Sequence, residues 1–272
     1  MTGTLAQLLS LISFGNEYIV KGKLENNYYP QNSVFKFDKQ VNFKALKSSF
    51  FRKDKEIIAG NDPHEWFQFL KRSDCRELKA FYQHSKHEKQ YKDYKLAGFV
   101  DGGGQWFIEA IYNDYSDFWY AHWKVGNKED PEEKIWLVTY EVVARKQQTK
   151  NVQFLLIESR QKLERILKEI ELFARENNLI SWTDCFANAL KTLNSEDPYQ
   201  NSYYSDMIVL KNYSKEAIQL IFAASKAWVF GGMGSWNDIT FNEKEKEKKY
   251  EQLSEELYES VITALLAAIN YY

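Results

Sequence analysis

Cysteine, proline, histidine and methionine are all scarce in this chain, and each scarcity removes a class of answer. Two cysteines in 272 residues, Cys75 and Cys185, cannot form a disulfide framework or hold a metal by themselves, and they point to a reducing compartment. Only 4 prolines and 12 glycines leave little room for a long disordered tract. The apolar run from Val261 to Ile269 is far shorter than the about 20 residues of a membrane helix. The apolar start, Thr4 to Phe14, has no basic leader and no small-residue cleavage pattern, so it does not match a signal peptide. A net charge of -2 is too small to attract a polyanion to the whole chain. Together these features predict a soluble, cytoplasmic protein.

Catalytic and cofactor signatures are also missing. There is no G-x-S-x-G, no H-E-x-x-H and no cysteine–histidine pattern. A G-x-G-x-x-G match beginning at Gly232 needs glycine at position 237 and meets Asn237, and no Gly-Lys-Ser/Thr follows. Neither a metal nor a cofactor is expected. Convergent active sites leave no local pattern, so these absences point away from an enzyme without excluding one.

Aromatic residues are abundant at 16%, a load that suits a thickly packed sheet or an aromatic contact surface. The periodicities predict an α+β fold: an antiparallel β-meander with short helices in residues 1–150, then a helical region over 151–272, as one domain or two lobes. Leu5, Leu8, Leu9 and Ile12 predict a short helix stopped by Gly15 and Asn16, followed by a strand over 17–25. Val34 to Phe43 alternates as a second strand. Asp62, Pro63 and Glu65 mark a helix start, and Ser73 a second one carrying Leu78, Phe81 and Tyr82. Leu96–Val100, Asp101-Gly102 and Gln105–Ile111 predict a hairpin, and strands over 118–125 and 135–144 extend it. Later helices are expected around Leu163–Phe173, ended by Asn177-Asn178, and from Ser181, from Ser214 to about Trp228, and from an Asn242/Glu245 capping pair.

The most unusual stretch is Trp228 to Asp238, where three glycines lie between two tryptophans and two helical patterns flank them. Gly231-Gly232 is expected to end the preceding helix in the left-handed conformation. Trp228, Gly232, Met233, Gly234, Ser235, Trp236, Asn237 and Asp238 are candidate binding residues, because large apolar groups in a turn must be buried or used. Trp106 and His122 join them as candidates for a pocket between sheet and C-terminal helices. His122 could pair with Asp114 or Asp117 as an acid–base unit. His84-x-x-His87 lacks the further ligands of a metal site. Lys44, Lys47, Arg52, Lys53 and Lys55 interleave with Phe43, Phe50 and Phe51 as single-strand nucleic-acid grooves do, but Asp54 and Glu56 interrupt them.

Trp228, Phe230 to Gly234, Ser235, Trp236, Asn237 and Asp238 resemble a segment of small bacterial proteins, some of them similar to immunity proteins that neutralise polymorphic toxins. The likeness covers about 16 of the 272 residues. It implies a non-enzymatic cytoplasmic protein whose partner is a cognate toxin. The alternative is an enzyme or small-ligand-binding protein using the pocket near Trp106, His122 and Trp236. Single-strand nucleic-acid binding is the third reading, and a membrane is not expected.

Overall fold

The structure is a computed structural model that describes residues 1–24, 27–47, 55–86, 92–99, 102–149 and 154–271. Its centre is helix α1 (Gly3–Lys21), capped by the Thr2 side chain, which accepts from Leu5 N. Leu5 to Ser13 are all buried, and a helix covered all round must have partners on every side. The sheet lies on one side of it and C-terminal elements on the other.

The polar groups buried along α1 are each spent on a different neighbour. Gln7 Nε2 donates to Asp38, and the Tyr140 hydroxyl donates to Gln7 Oε1. The Tyr28 hydroxyl donates to Ser10, and Val209 N donates to Ser13. Asn16 donates to the Leu78 carbonyl at 2.9 Å and accepts from its amide at 2.7 Å. These bonds explain why α1 continues through Gly15 and Asn16, where the sequence predicts a stop, and why 17–21 is helix rather than strand. A Cβ on Gly15 would lie 2.5 Å from Leu78 Cδ1, so glycine here permits close packing and ends nothing.

The sheet has six strands in the order β2-β1-β6-β5-β4-β3. They are β1 (Asp38–Lys47), β2 (Lys55–Gly60), β3 (Glu77–Gln83), β4 (Gln105–Ile111), β5 (Ser116–Val125) and β6 (Trp136–Gln147). β4, β5 and β6 pair antiparallel in chain order as expected, with β3 in place of the expected 96–100 strand, but the sheet is mixed, because β1 runs parallel to β6 with Val41 opposite Val138 and Phe43 opposite Tyr140. The chain lays down β1 and both edge strands, β2 and β3, first and closes the sheet between β1 and β3. The matching alternation of Val41, Phe43 and Ala45 with Val138, Tyr140 and Val142 puts all six side chains in the core.

Helix α2 (Pro63–Arg72) begins as the sequence predicts, with Asp62 Oδ1 accepting from Glu65 N at 2.8 Å. Residues after Ser73 depart from expectation. They form β3, with Leu78, Ala80 and Tyr82 facing the core. Val34 belongs to a 3-10 turn, Ser33–Phe35, and the strand starts only at Asp38. The expected hairpin across Asp101-Gly102 is absent: Asp93–Leu96 is a helical turn, α3, and β4 pairs with β3 and β5. The buried Asp93 carboxylate accepts from the Tyr82 hydroxyl and Ser85 N, which folds this excursion back on the sheet instead of pairing it. Val100 and Asp101 lie outside the described residues.

The C-terminal helices are α4 (Leu156–Glu176), α5 (Ile180–Leu193), α6 (Lys215–Ala227) and α7 (Lys244–Ile269). α4 packs on α5 and α7, and α6 packs on the same two. The periodic stripe of α7, including Leu253, Leu257, Val261 and Leu265, is buried as its spacing requires. Its start differs from the predicted Asn242/Glu245 pair, because Glu247 accepts from Phe241 N at 2.7 Å. The hydrophobic core continues from the sheet and α1 into these helices. Tyr82 meets Tyr258 through their hydroxyls at 3.1 Å, and Asn270 pairs with both backbone groups of Ala80. No helix among the described residues is long and apolar enough to cross a membrane.

Candidate functional site

The segment between α6 and α7 is an ordered knot. α6 stops at Ala227, before the glycines, and Trp228 takes an extended conformation. Gly231 and Gly232 therefore do not end the helix in the left-handed region. Val229 and Phe230 are buried, and Gly234 alone of the three glycines takes a positive φ, +83°. Ser235 ties the turn together: its amide donates to Gly232 O at 3.1 Å and its hydroxyl donates to Gly231 O at 3.1 Å. The Asp238 carboxylate accepts from Gly234 N, and Trp236 N donates to Val229 O at 3.2 Å. Asn237 Nδ2 donates to Tyr94 O at 2.9 Å, anchoring the knot on α3.

Within the knot the two conspicuous apolar side chains have opposite fates. Trp236 is completely buried against Trp182, Phe186 and Tyr250, with ring centroids 5.1–5.6 Å away. Its indole N–H donates to Ser254 Oγ at 2.7 Å, and the Tyr250 hydroxyl donates to its carbonyl at 2.6 Å. Trp236 joins α5 to α7 and is not a surface residue. Met233 is fully exposed at the tip.

A neighbouring segment adds a second exposed anchor. A Cβ on Gly98 would sit 1.9 Å from Gly231 O, so only glycine allows the two backbones to touch. Phe99, the next residue, is 69% exposed. Met233 and Phe99 thus project from two segments held in direct contact.

Beside this prominence lies a cleft of about 380 Å³ between the sheet, the start of α1 and the C-terminal helices. It collects Trp106, His122 and Trp228 from the sequence candidates, and Phe99, Trp123 and Tyr258 from outside them. Trp228 Nε1 donates to Phe230 O at 2.8 Å, which fixes its ring. Burial beside Tyr82 pushes the Tyr258 hydroxyl well above the usual phenol range, so it stays protonated. Trp236 takes no part in the cleft, contrary to its expected place there.

Other candidates are relocated. His122 Nε2 lies 3.8 Å from Glu141, while Asp117 accepts from Lys146 N near the opposite end of β5. The expected pairing with Asp114 or Asp117 fails because β5 holds them apart. Phe43 is a core residue stacked on Trp66 at 4.4 Å, and Lys44 pairs with Glu56 and Glu141, so neither presents a stacking groove. Phe50, Phe51, Arg52, Lys53 and His87 lie outside the described residues. His84 lies between Asp93 and Glu259, at 3.3 and 3.7 Å. Among the described residues, no group of three histidines, cysteines or carboxylates is placed to hold a metal ion.

No family model, curated protein or solved structure matches this chain.

Proposed function

We propose that this protein is a non-enzymatic protein-binding module of the bacterial cytoplasm, and that its partner is a toxin it neutralises. The observation that carries the reading is the fully exposed Met233, held out on a turn whose base is hydrogen-bonded on every side and buttressed by buried Trp236. Singly exposed apolar side chains are ordinary, so what distinguishes Met233 is the hydrogen-bonded turn that presents it. A rigid base lowers the ordering cost that binding otherwise incurs. Methionine and aromatic residues are favoured at interface centres, and Phe99 is exposed next to the glycine whose backbone meets Gly231.

One observation fits the rest of the reading: both thiols are free, as is usual in a reducing compartment. The toxin as partner rests on the resemblance of the Trp228–Asp238 segment.

The test is neutralisation. The product of a neighbouring gene, taken as the candidate toxin, is expressed in a sensitive host with the wild-type protein, with Met233→Asp, or with Phe99→Asp. Wild-type protein should restore growth and either variant should fail to, at equal soluble levels. Rescue by both variants, or no rescue by the wild type, overturns the proposal.

A further inference from the structure

The cleft beside the prominence shares Phe99 with it but has a chemistry of its own. Among the described residues that line it there is no lysine, arginine, aspartate or glutamate, although such residues make up 27% of the chain. Its walls are rings contributed by distant segments: Trp106 from β4, Trp123 from β5, Trp228 after α6 and Tyr258 from α7. Polar groups on the wall are the Gln105 amide, the hydroxyls of Thr2, Thr4, Tyr120 and Tyr258, and the His122 imidazole, whose Nε2 lies 3.8 Å from Glu141.

We infer that the cleft binds an uncharged saccharide of one or two rings. Sugar rings offer C–H faces that lie flat on indoles and hydroxyls that both donate and accept. An anionic ligand would find no lysine or arginine on the described wall, where His122 already faces Glu141, and a cationic one no carboxylate lining it. The volume, about 380 Å³, is at the small end of ligand pockets and suits one or two pyranose rings. Trp106 and Trp228 are half-buried, so each keeps part of its ring in contact with the cleft. Trp228 is held in place by its bond to Phe230 O, so the wall is formed before a ligand arrives.

The full chain is titrated with glucose, N-acetylglucosamine, maltose, cellobiose and chitobiose. Glucose 6-phosphate and glucuronate serve as charged counterparts and indole as a flat aromatic control. Tryptophan emission and calorimetry are the readouts. At least one neutral sugar should bind saturably with a Kd of about 1 mM or tighter, and the charged counterparts at least about tenfold more weakly. Trp106→Ala should weaken that sugar at least about tenfold with an unchanged Tm. If its Tm falls, the exposed Gln105→Ala is measured instead and should weaken binding about threefold or more. Met233→Asp should leave sugar affinity unchanged, which separates this site from the docking tip. No saturable neutral sugar up to about 20 mM, binding of indole alone, or full affinity in both cleft variants overturns the inference.

Discussion

Trp236 is buried on every face and donates to Ser254, so truncating it leaves a large cavity and removes one of the two hydrogen bonds of that hydroxyl, which still donates to Tyr250 O. Trp236→Ala should destabilise the protein by about 3–5 kcal/mol in chemical denaturation. Met233→Ala, three residues away, should fall within about 0.5 kcal/mol of wild type, as fully exposed positions do. Asp38 makes a pH-dependent case. Burial raises its carboxyl to about 7, against a smaller opposing effect of the Gln7 hydrogen bond. Between the ordinary aspartate value and 7, the native state keeps a proton that the unfolded chain has lost, so stability falls as pH rises through this window. The loss is complete above pH 7 and amounts to at most about 4 kcal/mol. Asp38→Asn keeps the acceptor for Gln7 Nε2 and removes the titration. Urea midpoints for the variant should therefore exceed wild type at pH 8, with the gap closing towards pH 4. Neither role shows in the sequence, because burial of one tryptophan or one carboxylate depends on neighbours far along the chain.

Helix α1 shows how an element can be misread from its own residues. Gly-Asn at Gly15-Asn16 is a reasonable helix stop, yet here the glycine admits Leu78 and Phe67 and the asparagine bonds the edge of β3. Asn16→Ala should cost about 2–3 kcal/mol and speed hydrogen exchange at the Leu78 amide, which then has no acceptor from α1. The strand β3 was disguised for a related reason. Outward-facing Phe81 sits between Leu78 and Tyr82 and completes a helical spacing, while the true period of two is carried by Leu78, Ala80 and Tyr82. Elements whose pattern is set by one wet face were legible. α4 and α7 bury the stripes their spacing predicts, and β4, β5 and β6 begin within two residues or so of their expected starts.

At the scale of the molecule, the sequence shows a meander and a set of helices but not the junction between them. The parallel pairing of β1 with β6 arises from the order in which strands meet, which no local pattern records. The aromatic cleft draws its walls from segments far apart in the chain, and Phe99, Trp123 and Tyr258 carried no signal that they would meet Trp106 and Trp228. The Trp228–Asp238 stretch was recognisable as special, and the structure divides it into a buried keystone and an exposed tip. Because one core joins the sheet, α1 and the C-terminal helices, Trp236→Ala should lower the near-ultraviolet and far-ultraviolet unfolding midpoints together. Separate shifts would contradict that continuity.

The central claim is that the tip serves binding and the base serves folding. The most direct test is calorimetric titration of the cognate toxin into the wild-type protein and into Met233→Asp, with thermal unfolding of both recorded beside it. The account predicts a tight wild-type complex, at least about a tenfold loss of affinity in the variant, and equal Tm values. An unchanged affinity in a folded Met233→Asp protein, or a Tm that falls in step with affinity, would contradict it.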